Sequence, residues 1–203
     1  VGVDSTTLEA NAAMKSIVRR DSGEDWEEYL KRLAAEDGVE IKTKAELIRY
    51  DKDRHDKGQK KVSNDEWTSP ADPDARITKM KDGTTHLAYK AEHVVDLTHG
   101  VILAAEIHHG NAADTATLTQ SLTKAQAHIE EAEIYQDIKK VAADKGYHKA
   151  ETLAACEDVG LFGVKTYIPE PEARYERRWT DKPASHQQAV YNNRRRTSRD
   201  YGK

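Results

Sequence analysis

Apolar and polar residues change period several times along the chain, and each change marks an element. Val1-Gly2-Val3 opens a β-branched run that carries Asp4 and reads as a strand to about Thr7. Residues 8–20 keep no clean period. Trp26, Tyr29, Leu30 and Leu33 then recur at helical spacing behind Ser22-Gly23-Glu24-Asp25, and Gly38 stops that helix. Thr43-Lys44-Ala45-Glu46 is a capping-box pattern for a second helix, with Leu47, Ile48 and Tyr50 on its apolar side. It runs into a highly charged stretch, Asp51 to Lys61. Asn64 to Asp74 reads as a polar loop around Trp67.

Period two takes over next. Ala75 to Met80 is a short strand, and Lys81-Asp82-Gly83 is a hairpin signal. Thr85 to Asp96 alternates as a long strand. Thr98-His99-Gly100 turns the chain into a further strand, Val101 to His108. Asp114 is placed to cap a helix from Thr115 to about Glu133. Lys139 to Asp144 is the next strand, and Lys149 to Asp158 a helix stopped by Gly160. Phe162 to Ile168 is the last strand, closed by Pro169 and Pro171. Ser185-His186-Gln187-Gln188 opens a final helix through Tyr191 and Arg194-Arg195-Arg196. A meander followed by βαβ units predicts an α/β fold, a mixed five-stranded sheet flanked by helices, with 8–74 a helical insertion after the first strand. The order resembles that of ribonuclease H. In that arrangement the first strand sits beside the fourth, which brings Asp4 next to Asp144.

Composition narrows the class. Hydrophobic residues make up 37% and charged residues 33%, polar for an enzyme but not a disordered composition. The net charge is −4, unevenly placed: from Arg174 to Lys203 nine Lys and Arg stand against three acids. A basic segment (174–203) on an acidic body points to an anionic partner, or to a solvated helix face. Cys156 is the only cysteine, which excludes a disulfide framework and a cysteine-based zinc site. No apolar run reaches the roughly 20 residues that span a bilayer, so no membrane role and a cytoplasmic location are expected. The chain opens in a strand without an initiating Met and stops in a basic run, as expected of a fragment of a longer polypeptide.

Two strand aspartates carry the candidate chemistry. A carboxylate in an apolar strand is costly unless paired or bound to metal. Two held close repel unless a cation lies between them, and Mg²⁺ takes one or two carboxylates with waters and phosphate oxygens. Such a site supports in-line phosphoryl transfer. The plain alternative is that Asp4 caps the turn with Ser5 and Thr6, and Asp144 the loop after it.

Longer motifs decide between these. Gly2-Val3-Asp4-Ser5-Thr6 and Ala143-Asp144-Lys145-Gly146-Tyr147-His148 resemble the first two acidic motifs of bacterial insertion-sequence transposases of the DDE class. Asp74-Ala75-Arg76-Ile77-Thr78-Lys79-Met80-Lys81-Asp82-Gly83, His86-Leu87-Ala88-Tyr89-Lys90-Ala91-Glu92-His93 and Gly110-Asn111-Ala112-Ala113-Asp114-Thr115 are similar to that family in the same order. The resemblance implies that residues 1–203 are an incomplete ribonuclease H-like catalytic domain. It implies cleavage of transposon ends and their joining to target DNA with Mg²⁺ or Mn²⁺, Asp4 and Asp144 being catalytic, metal-binding acids. Double-stranded DNA and a second copy of the chain are the implied partners. The family pattern of Tyr, Arg three residues on and Glu four residues later is met by Tyr191 and Arg194, but Ser198 takes the Glu place. The third acid is expected beyond Lys203 or lost. A ribonuclease H-like nuclease and a non-catalytic DNA-binding remnant of a decayed element are the alternatives.

DNA contacts are expected from the basic residues. Arg194, Arg195 and Arg196, with Arg199, Arg177 and Arg178, suit phosphates. Lys79, Lys81 and Lys90 on the hairpin would track the backbone, or be ordinary surface lysines. Lys145 and Tyr147 follow Asp144 closely enough to touch substrate, Tyr147 alternatively packing over the turn. His86, His93, His99, His108 and His109 lack the spacing of a zinc site.

Overall fold

The computed structural model describes residues 1–56, 63–80, 82–172 and 177–198. Lys81 of the hairpin, the end of the charged run, Arg174 and Arg199 lie outside the described residues. The strands are β1 (Gly2–Glu9), β2 (Val18–Arg19), β3 (Trp67–Thr68), β4 (Arg76–Lys79), β5 (Thr85–Val95), β6 (Ile102–His109), β7 (Lys140–Ala143) and β8 (Lys165–Tyr167). The helices are α1 (Trp26–Glu36), α2 (Lys44–Asp56), α3 (Asp114–Glu131), α4 (Ala150–Glu157) and α5 (Ala184–Thr197).

The main sheet is mixed and ribonuclease H-like. Its order is β4-β5-β1-β7-β8, with β6 also on β5, so it has six strands rather than the expected five. The extra strand fits because β5 is 11 residues long and β4 takes only Thr85 to Ala88 of it. The β1–β7 and β7–β8 pairs are parallel, and β4–β5 is antiparallel. A separate two-stranded ribbon, β2 with β3, was not expected; two residues per strand are too few to show a period.

The chain folds as two compact units. One comprises Val1–Thr6, Lys90–His108 and Ala112–Lys203. Its core gathers Val3, Val94, Leu118, Leu122, Val141, Leu153, Ile168 and Val190. Cys156 is fully buried there, and burial pushes its thiol up to about 12. Within this unit α5 is fastened to the end of β8. The buried Asn193 amide donates to Ile168 O at 2.7 Å and accepts from Ile168 N at 3.0 Å.

The other unit comprises Thr7–Tyr89 and His109–Asn111. Trp67, Ala75, Ile77 and Leu87 form its core, with Trp26 and Tyr29 packed against them. Tyr29 meets Trp67 edge-on at 5.7 Å, and the Arg19 guanidinium lies over both rings. Helix α1 starts at a complete capping box between Asp25 and Glu28. Among the described residues, no helix is long and apolar enough to cross a membrane.

Candidate active site

Strand pairing builds the site. Val3 on β1 and Val141 on β7 are core residues, which sets both strands into the sheet interior. The parallel register matches Gly2 with Ala142 and Val3 with Ala143. Asp4 is the next residue of β1, and Asp144 is the first residue after β7. Both are exposed rather than buried, because the core closes at Val3 and the strand ends open to solvent. One oxygen of each is spent locally. Asp4 Oδ1 accepts from Ser5 N at 2.8 Å, and Asp144 Oδ1 accepts from Gly146 N at 2.7 Å, capping a single 3₁₀ turn, Lys145–Tyr147. The second oxygen of each has no hydrogen bond among the described residues.

A third carboxylate reaches the same place. Asp114 is the first residue of α3, not its cap as expected; Ala113 holds the cap position. Its side chain turns away instead, and Oδ1 accepts from Ser5 Oγ at 3.2 Å and from Lys90 Nζ at 2.9 Å. A Cβ on Gly146 would lie 2.6 Å from Asp114 Oδ2 and 2.9 Å from Asp144 Oδ1. Both carboxylates therefore lie against one glycine, and a methyl group there would push their oxygens aside.

Behind these groups lies a buried polar network that sequence reading missed. Glu92 on β5 is 0% exposed. Its Oε1 accepts from Ser121 Oγ at 2.5 Å; its Oε2 accepts from Thr117 Oγ1 at 2.7 Å and Tyr147 OH at 2.8 Å, with Lys90 Nζ at 3.2 Å. Three hydroxyl donors and one ammonium therefore meet this carboxylate. Thr117 and Ser121 present hydroxyls one turn apart on α3, which is why both reach it.

Two expected DNA contacts are corrected by this network. Lys90 is 5% exposed, not a surface lysine: its ammonium is held by Asp114, Thr117 and Glu92. On β5 it shares parity with Ala88 and Val94, both fully buried. Tyr147 is 1% exposed, and its hydroxyl is committed to Glu92. Burial, reinforced by the Glu92 carboxylate, pushes its phenol pKa well above the usual value.

Residues 62–199 match the family model described as the transposase DDE domain. The chain belongs to this family. No curated protein and no solved structure matches it. Asp144 and the Lys90–Glu92 network lie inside the matched segment of the transposase domain, and Asp4 precedes it. A transposase-related function follows from membership, with DNA as the partner that family implies.

The basic helix α5 is less free than its sequence indicates. Arg196 is a structural tie rather than a DNA contact. Its Nε donates to Thr166 O at 2.8 Å, its Nη2 pairs with Glu157, and its guanidinium lies over Tyr167. Arg194 is half exposed but bridged to Glu170 at 2.8 Å, which also pairs with Arg177 at 3.4 Å. Arg195 is exposed and bonds only Asn192 at 2.5 Å among the described residues. Arg178 and Lys145 are exposed, and Lys79 is exposed at the end of β4 in the other unit.

Hard oxygen donors suit Mg²⁺ or Mn²⁺ better than softer metals. The paired Asp4 and Asp144 side chains, each with one uncommitted oxygen, fit such an ion. Asp114 and Glu92 add two carboxylates against the one buried ammonium of Lys90, so the surroundings also favour a cation. Among the described residues, no group of three or more His, Cys, Asp or Glu could hold a metal ion.

Proposed function

We propose that this transposase domain cleaves and transfers DNA strands at the Asp4–Asp144 pair. The observation that supports the reading is the parallel register of β1 and β7, which pairs the residue before Asp4 with the residue before Asp144. A divalent cation held there would lower the pKa of an attacking water or 3′-hydroxyl and stabilise the leaving oxygen. Asp4 and Asp144 supply the negative charge that holds it. Lys145, directly after Asp144 and exposed, is placed for a phosphate next to the scissile one. Arg195, Arg178 and Lys79 offer further contacts that position DNA without reading its sequence.

The test uses the protein encoded by the complete reading frame and the DNA that flanks that frame. A fluorescent strand with a free 3′-hydroxyl end is incubated with plasmid and Mg²⁺. Joined product that disappears in Asp4→Asn and in Asp144→Asn supports the reading. Cleavage without joining indicates a nuclease. DNA binding with no reaction in any variant indicates a remnant that has kept only its DNA affinity.

A further inference from the structure

We propose that Glu92 is a positioning residue for the Asp4–Asp144 pair, acting through Tyr147 on one side and through Lys90 and Asp114 on the other. The proposal rests on the reading of that pair as the metal-binding acids. Tyr147 lies three residues after Asp144, in the 3₁₀ turn that Asp144 caps. Its hydroxyl is fixed to Glu92 Oε2 at 2.8 Å, so Glu92 holds the turn from within. Ser5 directly follows Asp4, and its hydroxyl is fixed to Asp114 Oδ1 at 3.2 Å. Lys90 Nζ joins the two arms, 2.9 Å from Asp114 Oδ1 and 3.2 Å from Glu92 Oε2. One connected set of polar groups, buried at Glu92, Lys90 and Tyr147 and half-buried at Asp114 and Ser5, thus reaches the neighbour of Asp4 and the turn after Asp144.

The geometry leaves little slack. Glu92 accepts three hydrogen bonds and faces the Lys90 ammonium at 3.2 Å, while Lys90 donates to Asp114 and Thr117. A methyl group on Gly146 would displace the carboxylates of Asp114 and Asp144. Interior stabilisation alone would need the buried Glu92–Lys90 pair but not its extension to both site strands. Partners that orient metal ligands typically change metal affinity 10- to 100-fold when removed.

The test is Mn²⁺ titration of the full chain, followed by electron paramagnetic resonance at a temperature where circular dichroism shows each variant folded. Asp4→Asn is the reference for loss of the site. Tyr147→Phe keeps the ring and removes only the tether; Glu92→Gln keeps the shape and removes the charge. Each is expected to weaken the Asp4-dependent Mn²⁺ binding about 10-fold and to broaden the spectrum of the bound ion. Ser5→Ala cuts the opposite arm and gives the same kind of loss, which keeps the test readable if Glu92→Gln does not fold. Wild-type affinity and line shape in Tyr147→Phe and Ser5→Ala, with Asp4→Asn still abolishing binding, would overturn the positioning role and leave the aspartate pair standing. Unchanged binding in Asp4→Asn would overturn both.

Discussion

Lys90 and Glu92 stand two residues apart on one strand, both buried, with the ammonium 3.2 Å from the carboxylate. Removing either leaves a charge in the interior with too few partners. Lys90→Met strands two carboxylates, Glu92 and Asp114, and is predicted to cost about 3–5 kcal/mol in urea denaturation. Arg194→Ala breaks a half-exposed bridge to Glu170 and should cost less than about 1 kcal/mol in the same assay. Equal costs would show that Lys90 is not the central cation of the network.

Asn193 ties α5 to β8 through both backbone groups of Ile168. Asn193→Ala leaves a buried N–H and a buried C=O unpaired. The predicted loss is about 2–4 kcal/mol, read from the shift of the denaturation midpoint. A loss below about 1 kcal/mol would mean that water replaces the amide.

His148 is buried and neither ring nitrogen has a hydrogen-bond partner. Burial lowers its pKa, opposed by Glu170 and reinforced by Arg177 and Arg194. The unfolded chain then takes up this proton at a higher pH than the folded one. Stability is therefore predicted to fall as pH drops below the unfolded value of about 6.5, down to the lowered folded pKa. His148→Phe should lose that acid-side decline. Parallel stability–pH curves for the two proteins between pH 7 and 5 would contradict the assignment.

Lys145 and Arg196 are both basic, but only Lys145 is free for phosphate. Lys145→Ala is predicted to reduce the slope of log affinity against log salt by about 1 on any duplex. Arg196→Ala should leave that slope unchanged and lower stability instead, since its partners are Glu157 and Thr166. Fluorescence anisotropy across a salt series separates the two.

The pairing of the strands that carry Asp4 and precede Asp144 was legible from the order of elements, whereas each aspartate alone was a weak signal that a turn cap explained as well. The residues behind them were less visible. Lys90 and Glu92 share parity with Ala88 and Val94, but Leu87 and Ala91 on the other parity are buried too, so alternation did not single out an inward face. Asp114 looked like a helix cap because cap chemistry is local, whereas its partners Ser5 and Lys90 are distant in sequence. The tail arginines looked open to DNA phosphates for the same reason: Glu157 and Glu170 meet Arg196 and Arg194 only after folding. Each of the six sheet strands was read as a strand, but alternation did not show that β5 pairs with β4, β1 and β6.

The most direct test of the account is a double-mutant cycle of Mn²⁺ binding, by isothermal titration calorimetry, on the wild-type chain, Asp4→Asn, Asp144→Asn and the double variant. If the two carboxylates share one ion, each single change removes most of the affinity, and the double change removes hardly more. Independent, additive losses, or Mn²⁺ affinity unchanged in either single variant, would contradict a common site at the ends of β1 and β7.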